Sequence, residues 1–459
     1  MNETTLKKQD SKLYTFFTVL VGALLMGMLW RVRGSHGWSA SWGLLNVGFV
    51  YVMFIVSILG GRKKLGLGWT SITVISFMLT VPAWGTLRCQ ISGILSFDYP
   101  DSVIYIPVFS AVVIMLCVGF GMAVIFGILI GKAFSDKPWK AADFVIVLAA
   151  FFIADLASKA LFSHLIINLV QPQAAQAFED GLIAAGEDGT AWHVYLKHFA
   201  DDSWAKEIAY GRNYYATVKA FASAIRAAAA ILATKFIVRD KRAARVGLVV
   251  CSAFAAAITA AEVFPFFSMG GWHCTQESHL AALSDEWQMW EYTTGFIAGG
   301  IITAVLIKMK PADDVDDSFT DNVSNTTKDI FTFIFGYIVL IGVNVVRPIF
   351  GRYDDSPYQI VYVIVASVIS IVIISVVAHI CGISGTKVNM RYFASFMLVM
   401  SVIYNFIVYM FIGTANYAEF HNIKHMYNIL VTVSFAAVLM WGIPSFIGAG
   451  KEKYKGIKK

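Results

Sequence analysis

Apolar runs of near-membrane length recur along this whole sequence, and no other feature constrains its fold as much. An α-helix needs roughly 20 apolar residues to cross about 30 Å of hydrocarbon, and it satisfies its backbone hydrogen bonds internally, as hydrocarbon requires. Runs of this kind cover 13–30, 40–60, 68–87, 103–131, 143–170, 214–238, 246–267, 290–309, 330–349, 358–381, 392–413 and 427–448. The short alternating segments of a membrane β-barrel are absent. With 58% hydrophobic and only 14% charged residues over 459 positions, the chain falls outside the range of a soluble globule. The expectation is an all-α, polytopic integral membrane bundle of about twelve spanning helices.

The basic residues orient these spans. Arg62, Lys63 and Lys64, then Lys132, Lys137 and Lys140, then Arg239, Lys241, Arg242 and Arg245, then Lys387 and Arg391 all follow even-numbered runs, and Lys451 to Lys459 follows the last. The positive-inside rule places those loops and both termini in the cytoplasm, and the Arg31–His36 loop outside. The net charge of +6 therefore serves topology, and no nucleic-acid partner is implied. Run 13–30 follows a polar start and has no small-residue cleavage site after it, so it reads as an uncleaved helix of a multi-pass protein in the cell membrane.

Composition marks two further segments. The outer stretch 171–213 carries Trp192, Tyr195, Leu196 and Phe199 at helical spacing, the pattern of an amphipathic helix lying on the outer leaflet or capping a cavity. An acidic cytoplasmic linker, 310–329, contains Asp313, Asp314, Asp316 and Asp317. It divides a bundle of about eight helices (1–309) from one of about four (330–459).

Ionisable residues are costly at membrane depth and mark candidate sites. Arg31, Arg33, Arg88, Arg347 and Arg352 fall at the predicted outer face. As single residues they serve as snorkelling anchors, favoured at helix C-termini by the dipole. As a group they match phosphate or carboxylate, because guanidinium forks bind such anions bidentately. Glu262, His36 and His273 are the titratable residues on that side suited to acid/base work. At mid-membrane, Asp155 and Lys159 stand one turn apart in the fifth run, and Arg226 in the sixth run offers Asp155 a second partner. They make either a structural ion pair or an ion relay. His273, Glu277 and His279 lack an established zinc spacing, so no metal is expected. Cys89 and Cys274 lie on the outer side and would pair only if brought within disulfide distance.

Three functions are compatible with this reading. The first is a membrane transferase that holds a phosphate-bearing or lipid-linked substrate in an arginine-rich pocket at the extracytoplasmic face, with Glu262, His36 or His273 as acid/base. The second is a secondary transporter for an anionic small molecule, built around Asp155, Lys159 and Arg226. The third is a non-catalytic membrane scaffold. The topology is tested by single-cysteine reporters Ser35→Cys and Lys63→Cys in a background lacking the five native cysteines. A membrane-impermeant maleimide applied to intact cells labels the first and spares the second; the reverse pattern inverts the orientation.

Overall fold

The computed structural model describes residues 12–33, 41–59, 73–74, 76–77, 108–170, 172–186, 211–264, 286–309, 341–346, 357–380, 390–412 and 426–457. Every regular element among them is helical. In order they are α1 (Lys12–Val32), α2 (Ser41–Leu59), α3 (Val108–Phe120), α4 (Val124–Lys132), α5 (Ala141–Val170), α6 (Pro172–Ala184), α7 (Gly211–Leu232), α8 (Lys241–Ala261), α9 (Glu286–Lys308), α10 (Gln359–Ile380), α11 (Met390–Ile407) and α12 (Met426–Ile457). Wide π turns extend α7 over Ala233–Ile237 and α11 over Val408–Ile412, and a third lies at Gly342–Val346.

Eight of the described helices are long and apolar enough to cross a membrane, or nine if α3 and α4 form one broken span. The chain is thus a multi-pass helical membrane protein. Each apolar run of the sequence has a described helix over most of its length, except 68–87 and 330–349, which fall largely outside the described residues. Intrinsic propensity is secondary here, since hydrocarbon enforces the helix even on runs as rich in β-branched residues as α10. Where α8 begins near a predicted loop, a side-chain cap appears: Asp240 accepts from the Ala243 backbone N–H at 2.9 Å.

The chain divides into two compact units, the first made of 1–79, 129–140 and 291–459, the second of 80–128 and 141–290. In the first, α11 packs on α2 and α12, and α12 packs on α1. Glycines set how closely α1 and α9 approach. A Cβ on Gly22 would lie 2.1 Å from the Thr303 hydroxyl, one on Gly295 2.4 Å from the Met26 carbonyl, and one on Gly299 2.4 Å from the Met26 Cβ. Gly295 and Gly299 are the small pair of a G-x-x-x-G stripe, and the order of contacts makes α1 and α9 antiparallel neighbours.

In the second unit α7 packs on α5 and α3, and α3 on α8. Again glycine makes the approach possible, with Gly119 against the Ala255 backbone and Gly121 against Ser223. Between α3 and α4 the helix axis turns by 43°. Ala123 sits at the break with a left-handed φ of 54°, a costly conformation for a residue with a Cβ. The buried Met122 carbonyl accepts from the buried Cys251 thiol at 3.9 Å. One face of α5, with Ile153 at 64% and Leu169 at 81% exposure, and most of α10 are apolar surface of the kind lipid solvates.

Overpacking the glycine stripe is the sharpest test of the α1–α9 contact. Gly299→Leu should cost about 3 kcal/mol in detergent unfolding. Gly448→Ala, where no atom lies within 4 Å of the added methyl, should be neutral or stabilising. Equal effects at the two positions would contradict the packing.

Candidate functional site

The helix contact just described brings a charged cluster together in the first unit. Along α1 the contact residues Gly22, Met26 and Trp30 recur every four residues, and along α9 so do Glu291, Gly295, Gly299 and Thr303. Continuing the register past Gly295 puts Glu291 at the end of α1. There Arg33 Nη2 donates to Glu291 Oε1 at 2.7 Å and Arg31 Nη1 to Oε2 at 3.5 Å. Both arginines are buried, at 6% and 7% exposure.

Aromatic faces complete the enclosure. The Arg31 guanidinium lies 4.9 Å from the Tyr427 ring centre and 5.7 Å from that of Tyr409, while Arg33 lies 4.9 Å from the Trp30 ring. Such faces attract a cation, and more so where water is excluded. Tyr409 in turn donates its hydroxyl to Asn428. Nearby polar groups in this unit are also matched inside the protein. Asn46 Nδ2 donates to Asn405 Oδ1 at 2.6 Å, and Asn405 Nδ2 donates back to Asn46 Oδ1 at 3.3 Å. Ser434 gives its hydroxyl proton to the Leu430 carbonyl, so Tyr292, 2.7 Å away, is the donor of that pair.

The two arginines are not equivalent. Glu291 makes its short contact with Arg33, and the 3.5 Å contact to Arg31 is at the limit of a hydrogen bond. The Nε of Arg31, like that of Arg33, has no acceptor among the described residues, so the two differ in their contact with Glu291. Arg31 thus keeps at least one buried N–H donor that the described residues do not fill.

In the second unit Glu262 caps the C-terminal end of α8 and accepts a 2.7 Å hydrogen bond from the Trp290 indole. The described partner of this carboxylate is thus an indole, and the carboxylate that holds arginines is Glu291. Asp155 has the two partners expected of it, with Lys159 Nζ donating at 2.6 Å and Arg226 Nη1 at 3.3 Å. His36, His273, Arg88, Arg347 and Arg352 lie outside the described residues, as do Cys89, Cys274, most of the amphipathic stretch of 171–213 and the linker 310–329. Among the described residues no three His, Cys, Asp or Glu side chains gather as metal ligands.

In the sequence Glu291 reads as an ordinary acid at a helix start. The available signal was its spacing of four from Gly295 and eight from Gly299, which puts it on the close-contact face. Compared with family models, with curated proteins and with solved structures, the chain matches none.

Removing the shared carboxylate leaves both arginines buried without it, so Glu291→Gln should lower stability by about 3 kcal/mol. Adding Arg33→Gln removes one of the stranded charges and should restore about 1 kcal/mol. A double-mutant cycle in chemical unfolding measures this; strictly additive losses would mean that the pair is not coupled.

Proposed function

We propose that this protein is a membrane transferase that binds the anionic part of a phosphate-bearing or lipid-linked substrate at the outer end of α1, with Arg31 as the receiving group. The observation that carries this reading is the state of Arg31: buried, stacked on two tyrosine rings, and only weakly engaged by Glu291. Arg33, held at 2.7 Å by the same carboxylate, positions Glu291 and keeps it from closing fully on Arg31. A phosphate oxygen offered to Arg31 would gain charge-assisted hydrogen bonds in a site from which water is largely excluded.

In this reading Arg88, Arg347 and Arg352 add to the positive outer face, and the proton transfers of group transfer fall to His36, His273 or Glu262. It includes a cell-membrane topology of about twelve spans with both ends of this chain cytoplasmic, which puts the substrate site outside. The acidic linker 310–329 then lies inside. Transport of an anionic small molecule is the rival reading, and the charged cluster on α5 and α7 favours it.

The test uses purified protein in detergent with pyrophosphate as the simplest probe of the anion site. Pyrophosphate should raise the unfolding temperature of the wild type, and Arg31→Gln should weaken its apparent affinity roughly 10- to 100-fold, the range of a lost charge-assisted contact. Products from a panel of prenyl-phosphate-linked and glycerophospholipid donors, followed by mass spectrometry, should fall with the same variant. If pyrophosphate stabilises Arg31→Gln as well as the wild type, Arg31 is not the receptor. Uptake of a chemically unaltered anion into proteoliposomes, with no product from any donor, would favour the transporter.

A further inference from the structure

We infer that the cluster of Asp155, Lys159 and Arg226 in the second unit is a binding site for a small monovalent anion at mid-span. It stands apart from the Arg31 site and does not depend on the transferase reading.

The charge of the cluster is unbalanced. Lys159 and Arg226 share one carboxylate, with Lys159 Nζ 2.6 Å from Oδ2 and Arg226 Nη1 3.3 Å from Oδ1. Their side chains are only 19% and 13% exposed, and Asp155 is 13% exposed. Among the described residues no second acid meets either cation, so the cluster carries one positive charge in excess. The Phe151 ring, 4.7 Å from the Arg226 guanidinium, offsets that charge in part and cannot accept its in-plane N–H bonds. An unbalanced charge near the middle of two apolar spans is among the costliest arrangements in a membrane, and a bound anion removes the imbalance.

The donors of the cluster also outnumber its acceptors. Asp155 accepts one bond from each cation, while an ammonium has three N–H donors and a guanidinium five. Arg226 Nε has no acceptor among the described residues. The Ser158 hydroxyl, on the same turn, is already committed to the Asp155 carbonyl at 3.0 Å. Positive charge and unfilled donors therefore coincide, and a single-charge acceptor satisfies both.

The backbone beside the cluster is irregular. Ser223, one turn before Arg226 on α7, lies against Gly121 at the break between α3 and α4. Irregular backbone at membrane depth is tolerated where protein buries it or where it lines a water-filled cavity, and broken spans beside charged groups are how membrane carriers build ion sites. Without the break, the charge cluster alone would read as an ion pair that tethers α5 to α7.

The experiment measures the unfolding temperature of the full chain in detergent across a chloride titration, with sodium and ionic strength held constant by gluconate. Chloride should stabilise the wild type with a saturable midpoint. Arg226→Gln and Lys159→Gln each bring the cluster to neutrality, so both should fold and require about tenfold more chloride or more for the same effect. Asp155→Asn leaves two cations and no carboxylate; it should depend on chloride for stability and bind it at least as tightly. The inference is overturned if the wild type shows no chloride response, or if Arg226→Gln and Lys159→Gln respond as the wild type does, which would assign the ion to other arginines. It is also overturned if both neutralised variants fail to fold, if Asp155→Asn alone loses the response, or if the response follows sodium when chloride is fixed.

Discussion

Hydrocarbon supplies no hydrogen-bond partner and almost no screening, so each polar group these spans carry must be matched within the protein. That one constraint explains most of the side-chain detail. Asn46 and Asn405 exchange amide bonds across α2 and α11 because an unpaired amide at that depth would cost more than the rotamer freedom lost by pairing. Tyr51 gives its proton to the Gly299 carbonyl at 3.1 Å and lies 2.9 Å from the Thr303 hydroxyl. The hydroxyls of Thr18, Thr259 and Ser395 turn back onto the carbonyl four residues earlier. Even the carbonyl freed by the bend at Met122 is met by a thiol.

Packing answers to a different force, because apolar side chains gain little by leaving lipid for one another. Close contact must come from van der Waals fit, which small residues permit. Gly22, Gly295 and Gly299 in one unit and Gly119, Gly121 and Gly127 in the other remove the Cβ that would hold backbones apart. Where two helices approach this closely, the residues flanking the glycines are forced together as well. Glu291 meets Arg31 and Arg33 for that reason, so the charged cluster is a consequence of glycine register as much as of charge attraction.

The two units resolve their buried charge in similar ways. Each has two basic side chains on one carboxylate, Arg31 and Arg33 on Glu291, Lys159 and Arg226 on Asp155. In both, an aromatic face takes up part of the positive charge, and the Nε atoms of Arg31 and of Arg226 meet no acceptor among the described residues. A tether between helices would be better served by a one-to-one pair. In the second unit the two cations outnumber the one carboxylate described with them.

What the sequence determined by itself was everything set by local pattern. Apolar runs fix where helices form, because hydrocarbon leaves the backbone no alternative. The i, i+4 spacing fixes Asp155 and Lys159 as partners, and matching depth in the next span singles out Arg226. It could not name the acid that meets Arg31 and Arg33, since Glu291 lies some 260 positions away and becomes their partner only through the antiparallel register of α1 and α9. Nor could it foresee that Glu262 would be met by the Trp290 indole, or that the fourth run would bend at Ala123. Those were decided by tertiary structure, because which face of a helix meets which neighbour depends on shape fitted over whole helices, and no short stretch of sequence records it.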